Sequence, residues 1–324
     1  MAVITGTAAA NTLAGTSADD TLQGLGGNDT LIGAEGADIL DGGLGVDTAS
    51  YIGAQLGVIA DLANSLNNTG DASGDTYISI ENLTGSDFDD VLRGDAGANV
   101  LNGGLGNDDL DGGLGDDTLN GGAGIDTARY TSATAGVVVS LAITTAQDTI
   151  AAGFDRLTGI ENLLGSAFAD TLTGSAAANR IDGGDGDDVI NGGGGNDDLF
   201  GGLGADLIDG GAGNDVMTGG AGNDTYLVNA AGDVAVEEDQ GGIDEVRASV
   251  SYTLGEHLEN LVLEGSANLN ATGNAANNAL TGNSGNNILI GGGGADSMDG
   301  GLGVDTASYA NAAAGERVLP AARG

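Results

Sequence analysis

An all-β fold is expected for this chain: a parallel β-roll, that is, a right-handed β-solenoid of stacked 18-residue coils, read as one elongated solenoid. Three observations lead there. Glycine recurs every nine residues in four blocks, Asp or Asn always stands five places after that glycine, and an apolar or aromatic residue always stands two places further on. The phase never slips inside a block, so the acidic residues are not those of a disordered polyanion.

The first block runs from Gly6 through Gly15, Gly24 and Gly33 to Gly42, and the second from Gly85 to Gly121. The third runs in steps of nine from Gly165 to Gly219, and the fourth from Gly273 to Gly300. Gly103-Gly104-Leu105-Gly106-Asn107-Asp108-Asp109-Leu110-Asp111 shows the full form; of the 21 repeats, 16 have Asp at the sixth position and the rest Asn. The glycines allow positive φ in a tight turn and a close approach of carbonyls to an ion. The last three residues, x-apolar-x, make a short strand whose middle side chain faces inward. Two nonapeptides close one coil, and coils stack as parallel strands about 4.8 Å apart. Stacking puts the sixth-position carboxylate of one repeat beside that of the repeat two further on, with turn carbonyls between: a cage of oxygen atoms.

Composition points to the same chemistry. Forty-eight acidic residues face seven arginines and no lysine, a formal charge of −41 that opposes compaction. Like charge excludes nucleic acid and anionic lipid as electrostatic partners and makes cations the natural ones. With no cysteine and one histidine, His257, a zinc site has no ligand set. Oxygen ligands remain, which suit hard cations, calcium best among them. No run of 18 apolar residues, the length that would span a membrane, occurs, and the amino terminus has neither the basic start nor the apolar core of a cleaved signal peptide.

The repeats resemble the RTX (repeats-in-toxin) family, the haemolysin-type calcium-binding nonapeptide proteins. The resemblance covers about 190 residues directly. It implies a β-roll with several calcium ions between adjacent turns, a partnership with a type I secretion machinery, and folding in an extracellular setting. The ligand role it carries falls on pairs two repeats apart: Asp20 with Asp38 and Asp29 with Asp47 in the first block. In the second block the pairs are Asp90 with Asp108, Asp108 with Asp126, and Asn99 with Asp117. The third block offers Asp170, Asp188, Asp206 and Asp224 on one flank, and Asn179, Asp197 and Asp215 on the other. The fourth pairs Asn278 with Asp296 and Asn287 with Asp305, where a neutral amide weakens the first sites. In the first repeats of two blocks Phe88 and Phe168 replace the fourth-position glycine and are expected to cover an end of the roll.

The chain thus reads as repeat blocks 1–50, 85–129, 165–227 and 273–308, β connectors 51–84, 130–164 and 228–272, and an atypical tail 309–324. The connectors are too long and apolar for flexible linkers. Val137 to Leu141 reads as a strand, as does the alternating stretch from Val246 to Leu254. Each connector ends alike, in Ile80-Glu81-Asn82-Leu83, Ile160-Glu161-Asn162-Leu163 or Leu258-Glu259-Asn260-Leu261. The tail, with the only proline at Pro320, is read as truncated or frameshifted.

A coil buries only about two Leu-sized side chains while ordering a long stretch of backbone, so folding is expected to wait for metal. No carboxylate is singled out for catalysis and His257 lacks defined partners, so no enzymatic role is expected. The expected function is calcium binding by a secreted structural or surface-associated roll, with cell-surface contact or self-association as further partnerships. The alternatives are the repeat region of a secreted hydrolase or toxin without its catalytic domain, and an adhesin or surface-layer component.

Overall fold

Most strands of the repeat are three residues long, because glycine-rich turns follow them, and a few, such as Val100–Leu105 and Thr118–Ala123, run on through the glycine pair. The computed structural model describes residues 2–309. Thr21–Gln23 and Thr30–Ile32 are representative: the central Leu22 and Leu31 are fully buried and the flanking side chains half-buried. Strands pair in parallel with partners eighteen residues apart, Leu22 opposite Leu40, Leu92 opposite Leu110, Leu101 opposite Leu119. Within the repeat blocks consecutive strands go to different sheets, so each pair of repeats closes a coil.

The chain divides into two units, Met1–Ser175 and Ala176–Gly324, and each is a parallel β-solenoid. The first unit is cored by a file of leucines, Leu22, Leu31, Leu40, Leu83, Leu92, Leu101 and Leu110, all at 0% exposure. In the second, Ile190, Ile208, Tyr226, Val246, Leu261 and Leu280 stack in register along one sheet. Burial of the central side chain of successive strands makes most of the core, and connector residues such as Tyr51, Val58, Tyr130, Leu254 and Leu258 add to it.

The connectors supply strands to the same sheets. Thr76–Ile78 pairs with Ile39–Asp41, Asn82–Thr84 with Thr48–Ser50, Asn162–Leu164 with Thr127–Arg129, and Glu245–Ala248 with Thr225–Val228. Extra residues loop out between strands, as at the 3₁₀ turns Ser65–Asn67 and Gly70–Ala72, and the register then resumes. Val138–Ser140 forms a strand within the expected stretch.

Three details differ from expectation. The stretch from Val246 to Leu254 is two strands, Glu245–Ala248 and Tyr252–Thr253, because the chain bends between them to reach another sheet. The pairing is not purely parallel: Gln147–Asp148 runs antiparallel to Phe154–Thr158 across a short loop, closed where the Thr149 N–H and hydroxyl both donate to the Gly153 carbonyl at 2.8 Å. Phe88 does not close an end of the roll: it is 43% exposed and sits in a turn with the turns at Gly57 and Gly106 stacked on either side, while Phe168 is 44% exposed. No helix of the described residues is long and apolar enough to cross a membrane. From residue 310 on, the tail lies outside the described residues.

Candidate metal centre

Within each unit, strand pairing in fixed register brings the sixth-position residues into files along the turns. In each pair one carboxylate oxygen, Oδ1, accepts the backbone N–H of the sixth residue one coil earlier. Asp20 N–H donates to Asp38 at 2.6 Å, Asp29 to Asp47 at 2.7 Å, Asp90 to Asp108 at 2.9 Å, and Asp108 to Asp126 at 2.8 Å. The third block continues with Asp188 to Asp206 and Asp206 to Asp224, both 2.8 Å, and Asp197 to Asp215 at 2.9 Å. Asn99 donates to Asp117 and Asn179 to Asp197, both at 2.8 Å, while Asn278 donates to Asp296 and Asn287 to Asp305, both at 2.9 Å. Asp170 accepts from Val137 N–H at 2.7 Å and from the Ser166 hydroxyl at 2.8 Å.

The second oxygen separates the residues into two kinds. Oδ2 of Asp29, Asp38, Asp47, Asp108, Asp117, Asp126, Asp197, Asp206, Asp215 and Asp224 is buried with no hydrogen-bond donor. A buried carboxylate oxygen without a donor is costly, so each marks a place where a cation fits. Oxygens gather there: on Gly103, an added Cβ would meet both Asp108 Oδ2 and the Gly121 carbonyl. The cradle is therefore lined by carboxylate and carbonyl oxygens, the donor set of a hard cation such as calcium, which when bound would supply the missing positive charge. Asp296 and Asp305, at the last described coils, are half-buried instead.

The second residue of the repeat decides which kind arises. Before an unpartnered oxygen that residue has positive φ, as at Gly104 (φ 120°) and Gly202 (φ 114°), and its N–H is turned away from the carboxylate. Even non-glycine residues obey: Leu25 (φ 71°) and Ala34 (φ 69°) precede Asp29 and Asp38. Where Thr, Ser, Asp or Asn stands there instead, its N–H closes on the sixth residue. Thr16 donates to Asp20 at 2.8 Å, and Ser86 to Asp90 and Ser166 to Asp170, both at 2.5 Å. Sixth-position amides close likewise: Asn99 accepts from Asp95 N–H at 2.8 Å and donates to the Glu81 carbonyl at 2.6 Å, and Asn278 donates to the Leu258 carbonyl at 3.0 Å. These amide positions supply their own donor where the carboxylates leave a gap.

Burial is the first cause of the carboxylate titration. It pushes Asp197 and Asp206 up to about 6, Asp108 to about 7 and Asp117 to about 8, against the single backbone N–H that lowers each. Asp38, Asp47, Asp90, Asp126, Asp215 and Asp224 are raised for the same reason. Asp20 is lowered, chiefly by the Ala2 N–H. Arginine ion pairs fall on strand-flanking carboxylates, Arg129 on Asp109, Arg93 on Asp61 at 3.6 Å, Arg180 on Asp198 at 2.8 Å and Arg247 on Glu264 at 2.7 Å.

The files run on through the connectors, on residues that the nonapeptide frame does not single out. Asp38 N–H donates to Asp75 at 2.9 Å, Asp117 to Asp155 at 3.0 Å, Asp215 to Asp233 at 3.2 Å and Asp224 to Asp244 at 2.8 Å. The next step is a glutamate: Asp47 donates to Glu81 at 2.8 Å, Asp126 to Glu161 at 2.9 Å and Asp244 to Glu259 at 3.0 Å. Those glutamates are the ones in the recurring Glu-Asn-Leu endings, so the recurrence was the signal; each stands opposite its aspartate in the ordinary strand register.

A family model described as RTX calcium-binding nonapeptide repeat (4 copies) matches residues 14–49, 79–110, 106–128, 164–199, 191–226 and 272–307. No curated protein matches the chain. The matched segments cover more than half of the chain and coincide with the files of buried carboxylates, and by that match the chain belongs to the family of RTX calcium-binding nonapeptide-repeat proteins.

Proposed function

We propose that this chain is a non-catalytic structural module that folds on binding several calcium ions and works outside the cell, at a surface or in self-association. The observation that carries the reading is the set of buried carboxylate oxygens with no donor, each beside a left-handed second residue. Asp29, Asp38, Asp47, Asp108, Asp117, Asp126, Asp197, Asp206, Asp215 and Asp224 are the ligands proposed for the enclosed sites, and Asp188 joins them by its place in the file, its N–H on Asp206. Asp20, Asp90 and Asp170 contribute less, because local N–H groups already occupy them. Asp296 and Asp305 form the open end of the series. Ligands that are assembled only in the roll turn binding free energy into folding free energy. An ion-poor cytoplasm then leaves the chain extended for a type I exporter, and calcium outside drives folding. Absence of cysteine agrees with a fold that needs no oxidation. A non-catalytic role agrees with His257, which stands exposed at a turn with φ 66°.

Equilibrium dialysis of the chelator-treated chain against calcium tests the reading. Several ions per chain are expected, with fewer in Asp108→Asn and Asp206→Asn. A chain that binds none overturns it.

A further inference from the structure

Among the connector acids that extend the files, three are closed by neutral donors. Asp75 accepts from the Tyr51 hydroxyl at 2.9 Å, Asp155 from the Thr149 hydroxyl at 3.2 Å, and Asp233 from Asn229 and Ala230 N–H at 3.0 and 2.9 Å. Asp244 is different. Its Oδ1 accepts the Asp224 N–H, but its Oδ2 is buried without a donor, and the whole residue is 0% exposed. Asp224, 1% exposed, also has an unpartnered buried Oδ2.

A third carboxylate completes the group. Glu237, 7% exposed, comes from the connector just after the strand Val234–Val236. One oxygen from each of Asp224, Glu237 and Asp244 lies within 4.8 Å of those of the other two. Glu237 Oε1 accepts the Tyr226 hydroxyl, which also donates to the Val236 carbonyl at 3.1 Å. Tyr226 is the aromatic exception at an eighth position otherwise filled by aliphatic side chains or Met, and it is fully buried. Its hydroxyl fixes Glu237 against the file. An added Cβ on Gly219 would meet Asp224 Oδ2, Glu237 Oε1 and the Tyr226 hydroxyl at once, so only glycine leaves that space to oxygens.

We propose that Asp224, Glu237 and Asp244 form a separate divalent-cation site of calcium type, with Tyr226 as its positioning residue, joining the third repeat block to the connector that follows. The spacing from Asp224 to Asp244 is twenty residues rather than eighteen, so the nonapeptide frame does not generate this site. Its extra carboxylate, Glu237, lies outside the matched repeats. Three carboxylates around one point suit a small hard cation and no anion. The site rests on the calcium reading above for the nature of its ion, and on its own geometry for its existence.

Calcium dialysis and terbium(III) luminescence excited through tyrosine, both on the full chain, test it. Glu237→Gln is expected to bind one ion fewer than the wild type, with the calcium-induced β signal retained. Tyr226→Phe, which keeps the buried ring, is expected to weaken one site about tenfold or more and to lose part of the sensitised emission. If Glu237→Gln does not fold, Tyr226→Phe decides. Unchanged stoichiometry in folded Glu237→Gln, or unchanged affinity and emission in Tyr226→Phe, overturns the site while the repeat sites stand. A wild-type chain that binds no calcium removes the wider reading, and this site with it.

Discussion

At the scale of single residues, two positions of the repeat act together. The sixth supplies a carboxylate and the second decides whether a backbone N–H satisfies it. Leu25 and Ala34 hold a left-handed backbone that costs a non-glycine residue about 1–2 kcal/mol. Ala34→Gly is therefore expected to stabilise the calcium-bound roll, by up to about 1 kcal/mol after the greater chain entropy of glycine is counted, as a shift in urea midpoint. Gly104→Ala should do the reverse, losing about 1–3 kcal/mol, since its Cβ would also meet the Ser86 carbonyl. A shift in the opposite sense in either variant would separate the second position from site formation. The sixth position was legible in the sequence because one letter recurs in a fixed frame. The closing of Asp20, Asp90 and Asp170 was not, because it depends on a neighbour's φ, and Leu25 and Ala34 carry no outward mark of theirs.

At the scale of the strand and turn, each element owes its place to one buried side chain. Leu101→Ala opens a void in the file of leucines and is expected to cost about 2–5 kcal/mol in calcium. Leu105→Ala, four residues on in the same strand but 50% exposed, should change stability by less than about 0.5 kcal/mol. Equal effects in chemical denaturation would contradict a core built on the central strand side chains. Strand positions inside blocks followed directly from the x-apolar-x pattern. The connector details did not: the hairpin at Gln147–Asp148 and the bend after Ala248 are set by looped-out residues whose number the local pattern does not encode. The role of Glu81, Glu161 and Glu259 likewise appears only once the register places them at the end of a file.

At the scale of the whole chain, charge sets the conditions for folding. In the ion-free roll, burial raises carboxyls above the ordinary value of about 4 that they keep in the unfolded chain. The folded state then holds protons that the unfolded state releases. This stability is full below about pH 4 and is lost as pH climbs through the raised values, about 6 for Asp197 and Asp206, about 7 for Asp108 and about 8 for Asp117. Calcium competes with those protons, so its affinity should rise over the same window. In chelator, circular dichroism is expected to show more β structure at pH 5 than at pH 8, and the increment on adding calcium should be larger at pH 8. More β structure at pH 8 than at pH 5 without calcium would show that proton binding does not favour the roll.

The most direct measurement of the central claim, that buried oxygens left without donors make folding wait for a cation, is a calcium titration of the chelator-treated chain at pH 8, followed by circular dichroism with magnesium as the control. A cooperative gain of β signal in calcium and none in magnesium is the expected result, because magnesium gives up its water reluctantly and demands a tighter octahedral geometry. Full β signal in excess chelator at pH 8 would contradict it.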